Sequence, residues 1–272
     1  MLRVELTTQI LRLRTLIALG GVAAVPIAAG LATASSAGTR HHNQDGLFGA
    51  STYSALNHAM ASLQFTGPLL LPVVVALLAS AVASSDRDWG VLRYLYVAPV
   101  TRGRLLAGKL AAVLTVTAAA VLCDLLAGVL VGLAVFGWHP FHVIGAPDLS
   151  TTAALTRVLA ATAYLTLCML SIAAIAFTLA ILLPRGAEAV AAAIAFVVVA
   201  SILNGQAATH GFLHAVAVVL PVHYWQSWPG LLERAGAEHV PALGTGVAVQ
   251  LAVIAVCTAL AALVLARRDP AA

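Results

Sequence analysis

One acidic side chain stands in the middle of a long apolar run: Asp124, within Leu110–Gly137. If that run lies in a bilayer, the carboxyl group costs about 2.5–3.5 kcal/mol on insertion scales, so it must face protein or water. Two uses are open to it. It can line a translocation path or serve a proton relay, with Tyr164 and Thr166 at similar depth in a later run. Alternatively, it is satisfied locally by hydrogen bonds to Tyr164 or Thr166. Arg157 sits about three turns too near the end of its run to pair with it.

The nine histidines, by contrast, all fall in the three segments between apolar runs that read as outer: His41, His42, His58, His139, His142, His210, His214, His223 and His239. His210 and His214 are four apart and share a helix face, a spacing that suits a metal or an acid sensor. The stretch His210-Gly-Phe-Leu-His214 lacks the glutamate of H-E-x-x-H, so zinc-dependent hydrolysis has no support. Histidines at an interface without a metal are the plainer reading. Gly103-Arg-Leu-Leu-Ala-Gly108-Lys109-Leu110 matches G-x-x-x-x-G-K and then fails. A phosphate-binding loop needs Ser or Thr after the lysine to hold Mg²⁺, and a buried strand before the glycine. The chain has no other motif of this type, so ATP hydrolysis associated with it belongs to a partner. Cys123, Cys168 and Cys257 lie inside apolar runs and read as small packing residues without a disulfide framework.

Composition names the solvent in which these residues work. Hydrophobic residues make up 61% of the chain and charged residues 9%, with a mean hydropathy of +1.00. Soluble domains run near 45–50% apolar and about 25% charged. One core cannot hide this much apolar surface. A soluble globular protein, a disordered chain, a disulfide scaffold and a nucleic-acid binder are therefore disfavoured. The net charge of +4 rests on arginines that flank apolar runs, which points to a membrane surface.

A helix needs about 20 mostly apolar residues to cross the hydrocarbon. Six stretches qualify: 15–34, 59–83, 110–137, 158–183, 189–203 with its flanks, and 243–266. Alternation of the strand type is absent. The whole chain therefore reads as a single all-α polytopic transmembrane domain. With a cytoplasmic N-terminus, eleven of the fourteen basic residues lie inside and only Arg40, Arg157 and Arg234 lie outside. Six spans with both termini cytoplasmic account for that bias. Ala32-Thr33-Ala34 has the look of a signal-peptidase site, but the first run exceeds the 7–15 residues of a signal core and cleavage would leave five spans. Pro26, Pro68 and Pro72 predict kinks in the first two spans. Gly128-x-x-x-Gly132 fits a close-packing face, but such matches arise by chance in a chain so rich in Ala and Gly, and chance is the reading adopted.

The pieces between spans differ in kind. In residues 1–14, Leu2, Leu6, Ile10 and Leu13 recur at helical spacing, which suits an amphipathic helix on the inner leaflet or a flanking tail with topogenic arginines. Residues 84–109 form the largest cytoplasmic piece. They mix Asp86, Arg87, Asp88 and Arg93 with Trp89, Tyr94 and Tyr96, and Pro99 and Gly103 divide them into two short helices. Arginine and aromatic content of this kind suits docking to another protein. In 204–242, the apolar stretch Phe212–Val222 is too short to cross and Pro221 ends it. The aromatic run from His223 to Pro229 suits the membrane interface, so a re-entrant or interfacial helix pair is expected there.

Three places carry a resemblance to the membrane subunit of ABC-2-type exporters. The start around Val4-Glu5-Leu6 resembles the family's elbow helix. Asp88-Trp89-Gly90-Val91-Leu92-Arg93, then Pro99-Val100-Thr101-Arg102 and Gly108-Lys109, resembles its acidic-x-Gly-Thr-Leu, Pro-Val-Ser-Arg and Gly-Lys stretch, with Val91 in place of Thr and Asp88 in place of Glu. Arg267-Arg268-Asp269 resembles its closing Arg-Arg-Asp. The resemblance implies two paired permease subunits, each docked on an ATPase subunit that binds ATP and Mg²⁺, with no cofactor in this chain. It also implies a coupling helix between spans two and three, with Asp86, Arg87, Asp88, Trp89, Arg93 and Tyr94 as contacts. A lipid-like, drug-like or other small substrate would be exported. A secondary transporter of three-plus-three repeats would show several ionisable groups at mid-depth and similar halves; one acid and no clear repeat are present. An intramembrane enzyme would gather its histidines at one depth, and here they scatter.

Overall fold

The computed structural model describes residues 12–35, 48–88, 102–143, 147–183, 185–206, 211–233 and 241–267. Among them the chain is helical throughout, apart from turns and one isolated bridge between Phe141 and Leu149. The helices are α1 (Leu13–Ser35), α2 (Ala55–Thr66), α3 (Leu70–Asp88), α4 (Arg102–Val135), α5 (Thr151–Leu182), α6 (Gly186–Gln206), α7 (Phe212–Val219), α8 (Gly230–Glu233) and α9 (Pro241–Arg267), with 3-10 turns at Gly49–Thr52 and Pro221–Ser227.

Five of these helices are long and apolar enough to cross a membrane. The pair α2 and α3 makes a sixth if counted together. The second run expected from sequence is thus not one straight helix. It breaks over residues 67–69 and bends by 66°. Pro68 sits in the break, where it removes a backbone donor and disfavours helix at the residue before it. Pro72 falls in the first turn of α3, where proline is tolerated. α1 continues through Pro26.

Side-chain contacts fix how the helices run. Arg14 of α1 and Lys109 of α4 both reach the C-terminal turns of α3. The start of α1, the end of α3 and the start of α4 therefore share one end of the bundle, here called basal. At the other, distal end, Ala55 at the start of α2 meets Gly132 near the end of α4. Asn57 of α2 there donates to the His142 carbonyl in the loop before α5 (2.8 Å). Ser80 of α3 meets the Ala176 carbonyl of α5 (3.4 Å), so α5 descends toward the basal end. α6 returns, because Asn204 near its end bonds His223 beyond it. α9 descends again, with Gly246 against Tyr164 near its start and the Cys257 carbonyl accepting from Thr178 lower down.

α5 is the central helix. Its buried residues, from Ala154 to Ile181, recur on all sides, and α2, α3, α4, α6 and α9 all pack on it. α9 keeps most of its apolar surface outward, with Leu251, Val256, Leu260 and Leu263 exposed. That surface is what a helix bathed in lipid presents. Ser150 caps the N-terminus of α5 by accepting from the Ala153 N–H (3.4 Å).

Helix ends run further than the apolar runs indicated. α3 continues to Asp88 and α4 begins at Arg102, so Gly103 lies inside the first turn of α4 and does not separate two short helices. Residues 103–110, the near-match to a phosphate loop, are helical. Residues 1–11, which hold most of the expected elbow helix, lie outside the described residues.

Candidate functional site

The six residues expected to dock a partner divide. Asp86, Arg87 and Asp88 form the last turn of α3. Trp89, Arg93 and Tyr94 lie outside the described residues. What is visible is the base from which this segment springs. The Lys109 ammonium is buried at 6% exposure. It donates to the Val82 carbonyl at 2.9 Å and the Ser85 hydroxyl at 3.1 Å. The Arg14 guanidinium donates to the neighbouring Ala81 carbonyl at 3.2 Å. Both carbonyls lie in the C-terminal half of α3, short of its final turn, so the two cations tie the body of that helix to α1 and α4.

Asp124 lies about 17 Å along α4 from its distal end and about 33 Å from its start, well within a helix of 34 residues. Its side chain is fully buried. Neither Tyr164 nor Thr166 is its partner. The Ser62 hydroxyl donates to Oδ1 at 3.0 Å and the Thr66 hydroxyl bonds Oδ2. Both donors belong to the last turn and a half of α2, immediately before the break. Tyr164 instead donates to the Tyr224 carbonyl at 2.9 Å, and Thr166 to Thr162 of its own helix at 2.8 Å. Depth along a helix was legible from sequence, but rotation about its axis was not, and rotation chose the partner.

The Gly128 and Gly132 pair is a real packing face, against the chance reading. A Cβ at Gly128 would lie 2.8 Å from the Ala59 Cα, and one at Gly132 would lie 2.7 Å from the Ala55 Cα. Small residues four apart on both helices let the two backbones nearly touch. α2 is therefore joined to α4 along its length, first by backbone contact and then by the carboxyl group.

His58 is also misplaced by a reading that puts every histidine between the spans. It sits in the first turn of α2, fully buried. Its Nε2 lies 3.0 Å from the Pro26 carbonyl of α1, and Phe136 and Phe48 flank its ring.

The distal segment also turns inward. Tyr224, Trp225 and Trp228 are buried at 5%, 3% and 3% exposure, packed against α5, α6 and α9, and not laid out as an interfacial belt. Gln250 of α9, fully buried, donates to the Pro221 carbonyl (2.9 Å). It is a polar residue in an apolar run, and that was the overlooked signal. Leu220, extended before Pro221, ends α7. His214 meets His223 edge-on with ring centroids 6.3 Å apart; burial first, and then His214, hold the His223 imidazole below its ordinary pKa. His210 lies outside the described residues. Among the described residues no three His, Cys, Asp or Glu side chains gather to hold a metal ion. The three cysteines are free.

Five helices long and apolar enough to cross a membrane, with a bent apolar pair beside them, define a multi-pass membrane protein. Residues 11–204 match the family of ABC-2 family transporter proteins, and the chain belongs to that family. No curated protein matches it.

Proposed function

We propose that this chain is the permease subunit of an ATP-driven exporter. The family match over residues 11–204 carries the reading. The basal end is assigned to the cytoplasm and the protein to the cell membrane. Of the nine basic residues described, Arg12, Arg14, Arg87, Arg102, Arg104, Lys109, Arg185 and Arg267 belong to basal helix ends, and only Arg157 is distal. That asymmetry supports the orientation, since basic residues are retained on the cytoplasmic side. Both termini are then cytoplasmic, residues 1–14 act as an elbow helix on the inner leaflet, and α2 with α3 counts as one span of six.

A second permease subunit, a copy of this chain or a related one, pairs with it in the bilayer. Each docks an ATPase subunit that binds ATP and Mg²⁺. Asp86, Arg87, Asp88, Trp89, Arg93 and Tyr94 form the contact with that ATPase. Closure of the ATPase pair biases a bistable arrangement of the two permeases, and a lipid-like, drug-like or other small substrate crosses outward. A path that uses Asp124, Tyr164 or Thr166 requires the bundle to open beside α4 and α5, because Asp124 and Tyr164 are enclosed in the described state.

The test is purification of the tagged chain from its own membranes. An ABC-type ATPase should accompany it and hydrolyse ATP in a vanadate-sensitive manner. Exchange of Asp88 and Arg93 for alanine should lower the amount retained at least tenfold. Transport by the chain alone in proteoliposomes, driven by a proton gradient, would sink the proposal in favour of a secondary transporter.

A further inference from the structure

We propose that Lys109 and Arg14 are positioning residues that lock the base of the 89–101 segment, so that a push on it moves α1, α3 and α4 as one body. The proposal rests on the reading of that segment as the ATPase contact, but the clamp itself can be tested without it.

Lys109 follows the segment and Ser85 precedes it. Their side chains meet at 3.1 Å across 24 residues of chain, which ties the start of α4 to the end of α3. The same ammonium holds the Val82 carbonyl, and Arg14 holds the adjacent Ala81 carbonyl from α1. The last turns of α3 are therefore gripped from two helices. Ala81 and Val82 lie within α3, short of its final turn, so the two cations hold the body of the helix against α1 and α4. A lever whose root slid against its neighbours would lose its stroke.

Burial makes the arrangement more than a surface contact. An exposed lysine snorkels to water and contributes little. This one is withdrawn to 6% exposure, where an ammonium is tolerated only if it is hydrogen-bonded. Its partners are the Val82 carbonyl and the Ser85 hydroxyl, in the C-terminal half of α3. The lysine is the chain's single one. From the clamp, α4 continues to Asp124, Gly128 and Gly132, through which it holds α2. One rigid helix thus touches both halves of the broken span.

Inverted membrane vesicles provide the test, with trypsin cleavage after Arg93 as the probe of the segment. Lys109→Met should speed cleavage at least tenfold, Lys109→Arg should restore the slow rate, and Ser85→Ala should give an intermediate rate. Melting of the solubilised chain is followed alongside. If Lys109→Met does not fold, Ser85→Ala and Arg14→Gln decide: unchanged cleavage in both overturns the clamp. In the complex with its ATPase, Lys109→Met should leave the ATPase bound yet abolish the difference in turnover between bound and free ATPase, with rescue by arginine. Retention of that difference, with cleavage unchanged, overturns the proposal. If no ATPase accompanies even the unaltered chain, the functional reading fails, and the cleavage rates still decide the clamp.

Discussion

α2 and α3 are the two arms of one bent helix pair, and α4 holds each by a different chemistry. Against α2, it offers glycines where the partner offers alanines, and then a carboxyl group to two hydroxyls. Against α3, it offers a buried ammonium to a helix end. The distal contact is limited by volume and the basal contact by charge. A single helix can thus grip one arm by close backbone packing and the other by a buried charge.

The largest effect should come from volume. Gly132→Val puts a branched side chain where a Cβ alone would lie 2.7 Å from the Ala55 Cα and 2.9 Å from its carbonyl oxygen. No rotamer avoids backbone, so more than the usual 1–3 kcal/mol of overpacking is expected, with loss of the monodisperse peak in detergent chromatography. Gly108→Ala, on the same helix with nothing within 4 Å of the added Cβ, should instead be neutral or add up to about 1 kcal/mol through helix propensity. Equal damage from both would remove the contrast between the two halves.

Asp124 comes next. Asp124→Ala leaves the Ser62 and Thr66 hydroxyls without their carboxyl partner, and should lower thermal stability by roughly 1–3 kcal/mol. Asp124→Asn keeps one acceptor and the shape, and should recover at least half of that. If alanine is as stable as the unaltered chain, the carboxyl group is not what holds the broken end of α2, and a path-lining role regains ground.

These expectations mark what the sequence could and could not disclose. Apolar run length revealed five helices long enough to cross and a bent pair that could make a sixth, because hydrocarbon thickness sets a length that no side chain overrides. Pro68 pointed to a disturbance in the second crossing, yet proline gives a place without an angle, and 66° depends on what packs on each side. Asp124 was visible as costly, but its partners lie 62 and 58 residues earlier in sequence, on a face that only the α2–α4 contact selects. The same contact turned a commonplace glycine spacing into a fitted surface. Trp225 and Trp228 misled for a related reason. Aromatic residues between spans suit the interface and the core equally, and only neighbouring helices decide. Lys109 read as part of a motif, while its burial was invisible.

A smaller loss should follow Tyr164→Phe. The phenol gives up one hydrogen bond to the Tyr224 carbonyl (2.9 Å), worth about 0.6 kcal/mol on the average found for membrane proteins. The hydroxyl nearest Gly246 is lost with it, while the Cζ edge of the ring stays beside that glycine. Thermal unfolding of the variant should shift slightly, with burial of Trp225 and Trp228 retained in their fluorescence. A shift as large as that of Asp124→Ala would mean that the distal segment, and not α4, organises the bundle.

The smallest effect belongs to a distal His–Asp contact whose geometry invites overstatement. His142 Nδ1 lies 2.8 Å from Asp148 Oδ1, with side chains 29% and 51% exposed. Exposed pairs contribute about 0–1 kcal/mol and fade with salt. Tyr53 stacks on the imidazole at 3.9 Å and Asn57 bonds the His142 backbone, so the loop is held without the charge. Asp148→Asn should therefore leave the melting curve unchanged within error at 0.5 M salt, whereas loss of the Lys109 charge should be felt at any ionic strength because burial excludes the screening ions. If the two variants respond alike to salt, charge is not confined to the basal grip, and the division between the α2 and α3 contacts fails.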